Sequence, residues 1–364
     1  MKDNSLKPVS FIRSRCLRLR HASSRCTKCL DVCPSDALIL AEGQVGFLAH
    51  KCIGCESCIA VCPQDCYLSN GISDKGLEEE IRRKTSGKTL KISCQRIERQ
   101  QENVVVNCLQ RIDVSHLAQA SRYGVETIEL HTGKCSECQA CRNASWLDEK
   151  KIEADEFFEL FGNKLTVSRE EHEWNVDYSK RHFLTNLLKR GELGEQKEYG
   201  ESVEIANDPW RRIPEKQQRL GRTVPLLYKR SKGRQGEAKS SKSHQRTFLY
   251  EPVIDKELCS GCLLCASVCP TSALLVKKVE EGMVFVAFPQ ACSNCGLCAD
   301  VCYQEAIKVK ETGITSEYLK NAPKAILSRG INERLFEDVW EAQKHDYLSH
   351  LYRLELMLSG NGFN

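Results

Sequence analysis

The cysteines carry the chemistry in this sequence. There are 22 of them in 364 residues, and most fall into one spacing. Near the C-terminus Cys259, Cys262, Cys265 and Cys269 follow C-x2-C-x2-C-x3-C with Pro270 next. Cys292, Cys295, Cys298 and Cys302 repeat the pattern, with Tyr303 in the proline's place. Near the N-terminus Cys52, Cys55, Cys58 and Cys62 repeat it again ahead of Pro63. A further copy is incomplete: Cys26, Cys29 and Cys33 precede Pro34, but Ser23 stands where the first thiol belongs. Two-residue spacers let one short loop wrap an iron–sulfur cubane and present three thiolates to three irons, and the fourth thiolate then comes from elsewhere. Zinc ribbons are the competing use of such thiols, but they pair two C-x2-C units rather than lining up triplets.

Loops of this kind need rigid returns between them. ALLVKK and MVFVAF flank Glu281-Gly282 and read as a hairpin between the C-terminal loops, and Gly43 to Leu48 is the corresponding return at the N-terminus. For the vacancy at Ser23 the nearest uncommitted cysteine is Cys16, in RCLRLRHASSRC. A loop of that length can close, because closure entropy grows slowly with length. Two alternatives stay open. One is a three-iron cluster, or a cubane with an exchangeable iron, on Cys26, Cys29 and Cys62 with Cys16 free. The other is Cys66 as the ligand, although it matches no ligand position and reads as packing.

Both terminal segments resemble bacterial-type two-[4Fe-4S] ferredoxin domains, in which the last cysteine of each loop ligates the other cluster. At the C-terminus the resemblance implies one cluster on Cys259, Cys262, Cys265 and Cys302 and another on Cys292, Cys295, Cys298 and Cys269. At the N-terminus, with Cys16 in the vacancy, it implies one on Cys16, Cys26, Cys29 and Cys62 and another on Cys52, Cys55, Cys58 and Cys33. It also implies four [4Fe-4S] clusters, single-electron transfer, redox protein partners such as dehydrogenase or reductase subunits, and an α+β fold of paired hairpins and short helices.

The middle of the chain has another rhythm. LKIS (Leu90 to Ser93), NVVVN (Asn103 to Asn107) and VETIEL (Val125 to Leu130) are β-branched runs, and DVSHLAQASRYG has a helix cap, apolar spacing and a terminal glycine. That order predicts a small α/β domain with a parallel sheet, flanked by the two α+β ferredoxin-like domains. Cys94, Cys108 and then Cys135, Cys138 and Cys141 follow the strands, so five thiols should meet at one sheet edge. A fifth cluster with Cys94 or Cys108 as its fourth ligand, a structural zinc, and a dithiol/disulfide pair are all open for them. The strand-end cysteines and NCLQRID weakly resemble the delta subunit of methyl-viologen-reducing hydrogenases, a domain that passes electrons onward; no site residue is carried over from it. His116 and His131 could be ligands, but a helix-face histidine and a strand-end histidine read rather as ordinary surface residues.

These readings divide the chain into a ferredoxin domain at 10–72, the cysteine-bearing α/β domain at 85–165, a charged linker at 166–248, a second ferredoxin domain at 249–312 and a helical tail at 313–364. The tail's helix rests on Leu335, Val339, Leu348, Leu351 and Leu358. The first residues contain no apolar leader, and no window reaches the ~20 apolar residues of a membrane span. The thiols are therefore expected to be reduced, in the cytoplasm. A net charge of +4 gives no argument for nucleic acid. Neither G-x-G-x-x-G, a P-loop nor a nucleophile motif is present. The expected function is a cluster-binding electron-transfer protein or subunit, non-catalytic rather than catalytic. The alternatives are a thiol/disulfide oxidoreductase fed by the ferredoxin domains, and a redox-sensing or assembly factor.

Overall fold

The computed structural model describes residues 8–85, 87–97, 101–141, 146–161, 165–173, 212–232, 248–279 and 282–329. The N-terminal unit has β1 (Val9–Phe11), a hairpin of β2 (Leu38–Ala41) and β3 (Gln44–Phe47), and β4 (Tyr67–Ser69), which runs antiparallel to β1 with Tyr67 opposite Phe11. Glu42 and Gly43 close the hairpin with φ of 50° and 77°, the left-handed pair that matches a two-residue return to the strand twist. The strands are short because the unit packs around cysteines: Cys16, Cys29, Cys33, Cys62 and Cys66 lie in its small core beside Val9, Leu38, Val45 and Ile59.

The central domain is a parallel sheet of β5 (Thr89–Cys94), β6 (Val104–Val106), β7 (Thr127–Thr132) and β8 (Thr166–Glu171), in the order β6-β5-β7-β8. Strand order reverses between β5 and β7, so their C-terminal ends flank a crevice. Helix Val114–Arg122 connects β6 to β7, and helix Trp146–Glu159 connects β7 to β8. Both crossovers move the same way along the sheet, and right-handed connections place such helices on the same face. Ile92, Leu130, Leu117, Phe157 and Phe158 fill the core there. The β5-to-β6 connection holds no helix among the described residues, and the opposite face carries Lys91, Glu129 and His131. Asp113 starts helix Val114–Arg122 by accepting the N–H groups of Ser115 at 2.8 Å and His116 at 3.3 Å, while His116 Nδ1 accepts the Asp113 N–H.

The C-terminal unit pairs β9 (Tyr250–Ile254) with β12 (Ile307–Glu311) and joins β10 (Leu274–Val279) to β11 (Gly282–Ala287) in the expected hairpin. A further strand, β13 (Lys324–Arg329), adds to β11. None of the described helices is long and apolar enough to cross a membrane.

Three expectations are corrected. The stretch 166–248 is not simply linker: β8 lies within it, and so does helix Glu215–Lys232, which buries Leu220, Val224 and Leu227 in the central core. The apolar residues at i, i+4 and i+7 give a weak signal because polar residues, Gln217, Gln218, Arg219 and Thr223, are buried along with them. The tail is not simply helical either, since β13 falls inside it. His116 and His131 are both 2% exposed rather than on the surface. The amphipathic segment from Leu335 to Leu358 lies outside the described residues.

Candidate functional site

Three of the cysteine loops share one backbone. The residues on either side of the middle cysteine are left-handed: Gly54 and Glu56 (71° and 60°), Gly261 and Leu263 (77° and 67°), Asn294 and Gly296 (52° and 78°). Such turns aim successive N–H groups into a concavity that suits an anion. In the loop that carries Ser23 neither Arg25 nor Thr27 has a positive φ, so that half of the wrap is missing. The second half is common to all four, with Asp36, Asp65, Ser272 and Glu305 left-handed three residues past the last cysteine.

Cys16 arrives from a separate turn at Arg13–Arg15, directly after β1. The β1–β4 pairing and an Ile12 N–H donated to the Cys66 carbonyl at 2.7 Å bring this turn against Cys62 and Cys66. Burial pushes the Cys29 thiol up to about 11, and the charges of Cys62, Cys26 and Cys16 act the same way. Cys16, Cys26, Cys29 and Cys62 thus share one space. Cys66 is buried beside them. Its hydrogen bond is the largest influence on Cys16 and holds that thiol down to about 6. The Cys66 N–H also points at Cys62 Sγ from 3.3 Å, and Tyr67 Oη donates to Cys29 Sγ at 3.3 Å.

The remaining thiols gather likewise. Burial raises Cys52 and Cys55, Cys33 adds to both, and Cys58 is raised by burial and then by Cys55 and Cys52. Cys292 and Cys295 are pushed up to about 12 by burial, with Cys269 adding to each, and Cys298 is raised beside all three. Cys265 is likewise pushed up to about 12, next by the charges of Cys259, Cys262 and Cys302. A backbone N–H two residues further on donates to Cys16, Cys26, Cys52, Cys55, Cys62, Cys292 and Cys295. Neutral buried thiols gain little from such donors. The arrangement fits sulfur made anionic by iron, whose charge offsets the crowding of thiolates.

In the central domain Cys94, Cys108, Cys135, Cys138 and Cys141 line one cavity at the crevice between β5 and β7. Cys94 and Cys108 receive the same N–H contact, from Arg96 and Gln110, although burial still raises both thiols. Arg96 Nη1 reaches Cys138 Sγ at 3.2 Å, and the charge of Arg169 acts on Cys135. The five can hold a tetrathiolate centre with one thiol to spare.

The thiol sets follow one another as neighbours. Cys55 lines the central cavity and its charge raises Cys108. Glu56 and Ser57, next to it, dock on the central domain: Glu56 pairs with Arg111 at 3.1 Å and accepts from Asn107 at 2.6 Å, and Ser57 bonds Gln110. Cys58 is raised by Cys29 and Cys62, which joins the two N-terminal sets. Cys26 and Cys295 then meet in one apolar cluster with Leu17, Leu297 and Val301, fixed by Lys28 Nζ on the Asn294 carbonyl at 2.9 Å and by Gln64 on Ser293 at 2.8 Å. Cys298 is raised by Cys265, which joins the two C-terminal sets. Cys262, in the outermost set, is the exposed member among the cysteines.

With this geometry in place, two family models match. One described as a 4Fe-4S dicluster domain covers residues 20–63, and one described as a 4Fe-4S binding domain covers residues 252–275. No curated protein matches the chain. The chain therefore carries 4Fe-4S ferredoxin-type domains near both ends, which indicates cluster binding and electron transfer. Neither match reaches the central segment.

Sequence reasoning passed over Arg96, Arg111, Tyr67 and the Glu56 docking contact. Tyr67 directly follows Cys66 beside a cluster loop, a weak cue. The others carry no local signal, because each acts on a partner distant in sequence.

Proposed function

We propose that the chain is an electron-transfer subunit in the cytoplasm with a [4Fe-4S] cluster on each terminal set: Cys16/Cys26/Cys29/Cys62, Cys33/Cys52/Cys55/Cys58, Cys269/Cys292/Cys295/Cys298 and Cys259/Cys262/Cys265/Cys302. Each such cluster takes up and releases one electron at a time. The observation that carries the reading is the unbroken succession of neighbouring sets, from exposed Cys262 at one end to the cavity of the central domain at the other. The two ends are where redox protein partners would exchange electrons with the chain. In between, the residues insulate: Leu17, Leu297 and Val301 keep water from the junction of the ferredoxin units, and Glu56 with Arg111 locks the relay onto the central domain.

For the central site we propose a fifth iron–sulfur centre on four of its five thiols, with Arg96 and Arg169 offsetting its negative charge. A second reading is favoured by the five-thiol count itself: a spare thiol beside a fed centre suits exchange with a disulfide substrate.

Anaerobic iron and acid-labile sulfide analysis of the full chain tests both. Four cubanes require about sixteen irons per chain, and more than that places iron in the central site. Near eight irons would end the four-cluster reading. About one zinc with about sixteen irons would make the central site structural.

A further inference from the structure

Away from the thiols, the open face of the central sheet holds a second group of metal-ligating atoms. His131 in β7 stands opposite Glu170 in β8, and strand alternation brings His172, two residues on, to the same face. One ligand atom from each lies within 4.8 Å of the others. His131 Nδ1 is 2.8 Å from His172 Nε2, and Glu170 Oε2 is 3.7 Å from the first and 3.9 Å from the second.

We propose that His131, Glu170 and His172 bind one divalent transition-metal ion, leaving its solvent side open to exchangeable ligands. Bonds of ~2.0–2.2 Å to nitrogen and oxygen hold neighbouring donors roughly 3–3.4 Å apart at a tetrahedral or octahedral centre. The two nitrogens need only part slightly and the carboxylate close by about half an ångström. The close contact between nitrogens requires one of them to be an unprotonated acceptor, which is the ligating form of imidazole.

The buried end of the site supplies an independent observation. His131 is 2% exposed, yet its Nε2 makes no hydrogen bond. Glu129 Oε2 lies 3.6 Å from that nitrogen. An ion on Nδ1 confines the ring proton to Nε2, where it faces a carboxylate, the arrangement that orients a metal-bound histidine and fixes its tautomer. The outer end is accessible, since the His172 side chain is 32% exposed. Two imidazoles and a carboxylate suit zinc, iron(II), cobalt or nickel rather than calcium or magnesium. The site uses none of the cysteines.

The test uses the full chain with its clusters in place. The protein is exposed anaerobically to excess Zn2+ and desalted, and zinc and iron per chain are measured by mass spectrometry beside a zinc titration. Wild type should retain one more zinc than His172→Ala or Glu170→Gln, with iron equal in all three. Glu129→Gln should weaken zinc binding by roughly 10–100-fold, as loss of a carboxylate behind a ligating histidine does. Zinc held by the cysteines would be common to every variant and cancels in the difference. Equal zinc retention and affinity in wild type and His172→Ala overturns the proposal, as does wild type retaining none. Should His172→Ala also lose iron, Glu170→Gln decides, because Glu170 is an exposed strand residue: zinc kept overturns the proposal, and zinc lost with iron intact supports it.

Discussion

In the C-terminal ferredoxin-type unit both loops supply a full triplet of thiols, and left-handed residues flank each middle cysteine. In the N-terminal unit one loop has Ser23 instead of its first thiol, lacks the left-handed pair, and meets Cys16 only because β1 and β4 pair. The position of each unit in the molecule differs in step. The complete unit holds the last thiol set of the succession and exposes Cys262, with Leu258 and Tyr303 of the same unit 50% and 70% exposed, although its Leu249 and Tyr318 also pack into the central core. The incomplete one lies inside, in contact with the central domain through Glu56 and with the other unit through Lys28. A ligand set written into a short loop survives at a surface, whereas one assembled across the fold needs the packing of an interior. The same loop position shows the contrast: it is Glu56 in the interior unit, bound to Arg111, and Leu263 or Gly296 in the outer one.

The largest way to break this contrast is at Cys16. Cys16→Ala combined with Cys66→Ala should cost the first N-terminal centre, seen as loss of up to about four irons per chain relative to wild type, or as the three-iron paramagnetic signal on mild oxidation. Cys66→Ala alone should keep full iron. A double variant with wild-type iron and spectrum would show that Ser23 leaves a natively three-thiolate site, and the comparison would collapse.

Next in size is the Glu56–Arg111 pair, whose side chains are 0% and 1% exposed. Removing one partner strands the other as a buried charge, so Arg111→Ala should cost about 3–5 kcal/mol in denaturant unfolding, while replacing both with apolar residues of similar volume should cost far less. Leu263→Ala, at the matching position of the outer unit, is expected to be milder because Leu263 is only partly buried.

Tyr67→Phe deletes the hydroxyl that donates to Cys29 Sγ. A hydrogen bond worth about 1 kcal/mol corresponds to about 40 mV for one electron, so one N-terminal centre should become more negative by about that amount. Redox titration followed by electron paramagnetic resonance would detect it, with the C-terminal signals unchanged. A shift in the C-terminal signals instead would mean the two units are not electronically separate.

The smallest effect belongs to the surface between the units. Asp300→Asn removes the charge opposite the Arg25 guanidinium, whose side chain is 79% exposed, while leaving an oxygen that can accept the Arg25 backbone N–H, and should change stability by less than about 1 kcal/mol. A larger loss in a thermal melt would show that the junction depends on this pair rather than on Leu17, Leu297 and Val301.

Much was legible before folding. Twelve of the cysteines in complete C-x2-C-x2-C-x3-C runs advertise their chemistry through spacing alone, and the strand, helix, strand order of the middle segment announced a parallel sheet. Helix Glu215–Lys232 is hidden in the sequence for a plain reason: much of the surface it buries is polar, with Gln217, Gln218, Arg219 and Thr223 buried beside Leu220, Val224 and Leu227, so its composition resembles a linker. Nothing near His131 in the sequence signals its burial, and the partner it meets, His172, is 41 residues away. Spacing alone leaves Cys66 as a packing residue, and only the folded chain puts it in hydrogen-bond contact with Cys16 and Cys62.

By itself the sequence determined which thiols form loops, because a two-residue spacer constrains a backbone whatever surrounds it. It also determined that the two ends would be alike and the middle different. Tertiary structure alone decided the order of the sets, since that order depends on contacts such as Glu56 with Arg111, Lys28 with Asn294 and Gln64 with Ser293. Each joins residues far apart in the chain. No periodicity or spacing marks them, because an interface between folded units is selected by shape and charge after each unit has formed.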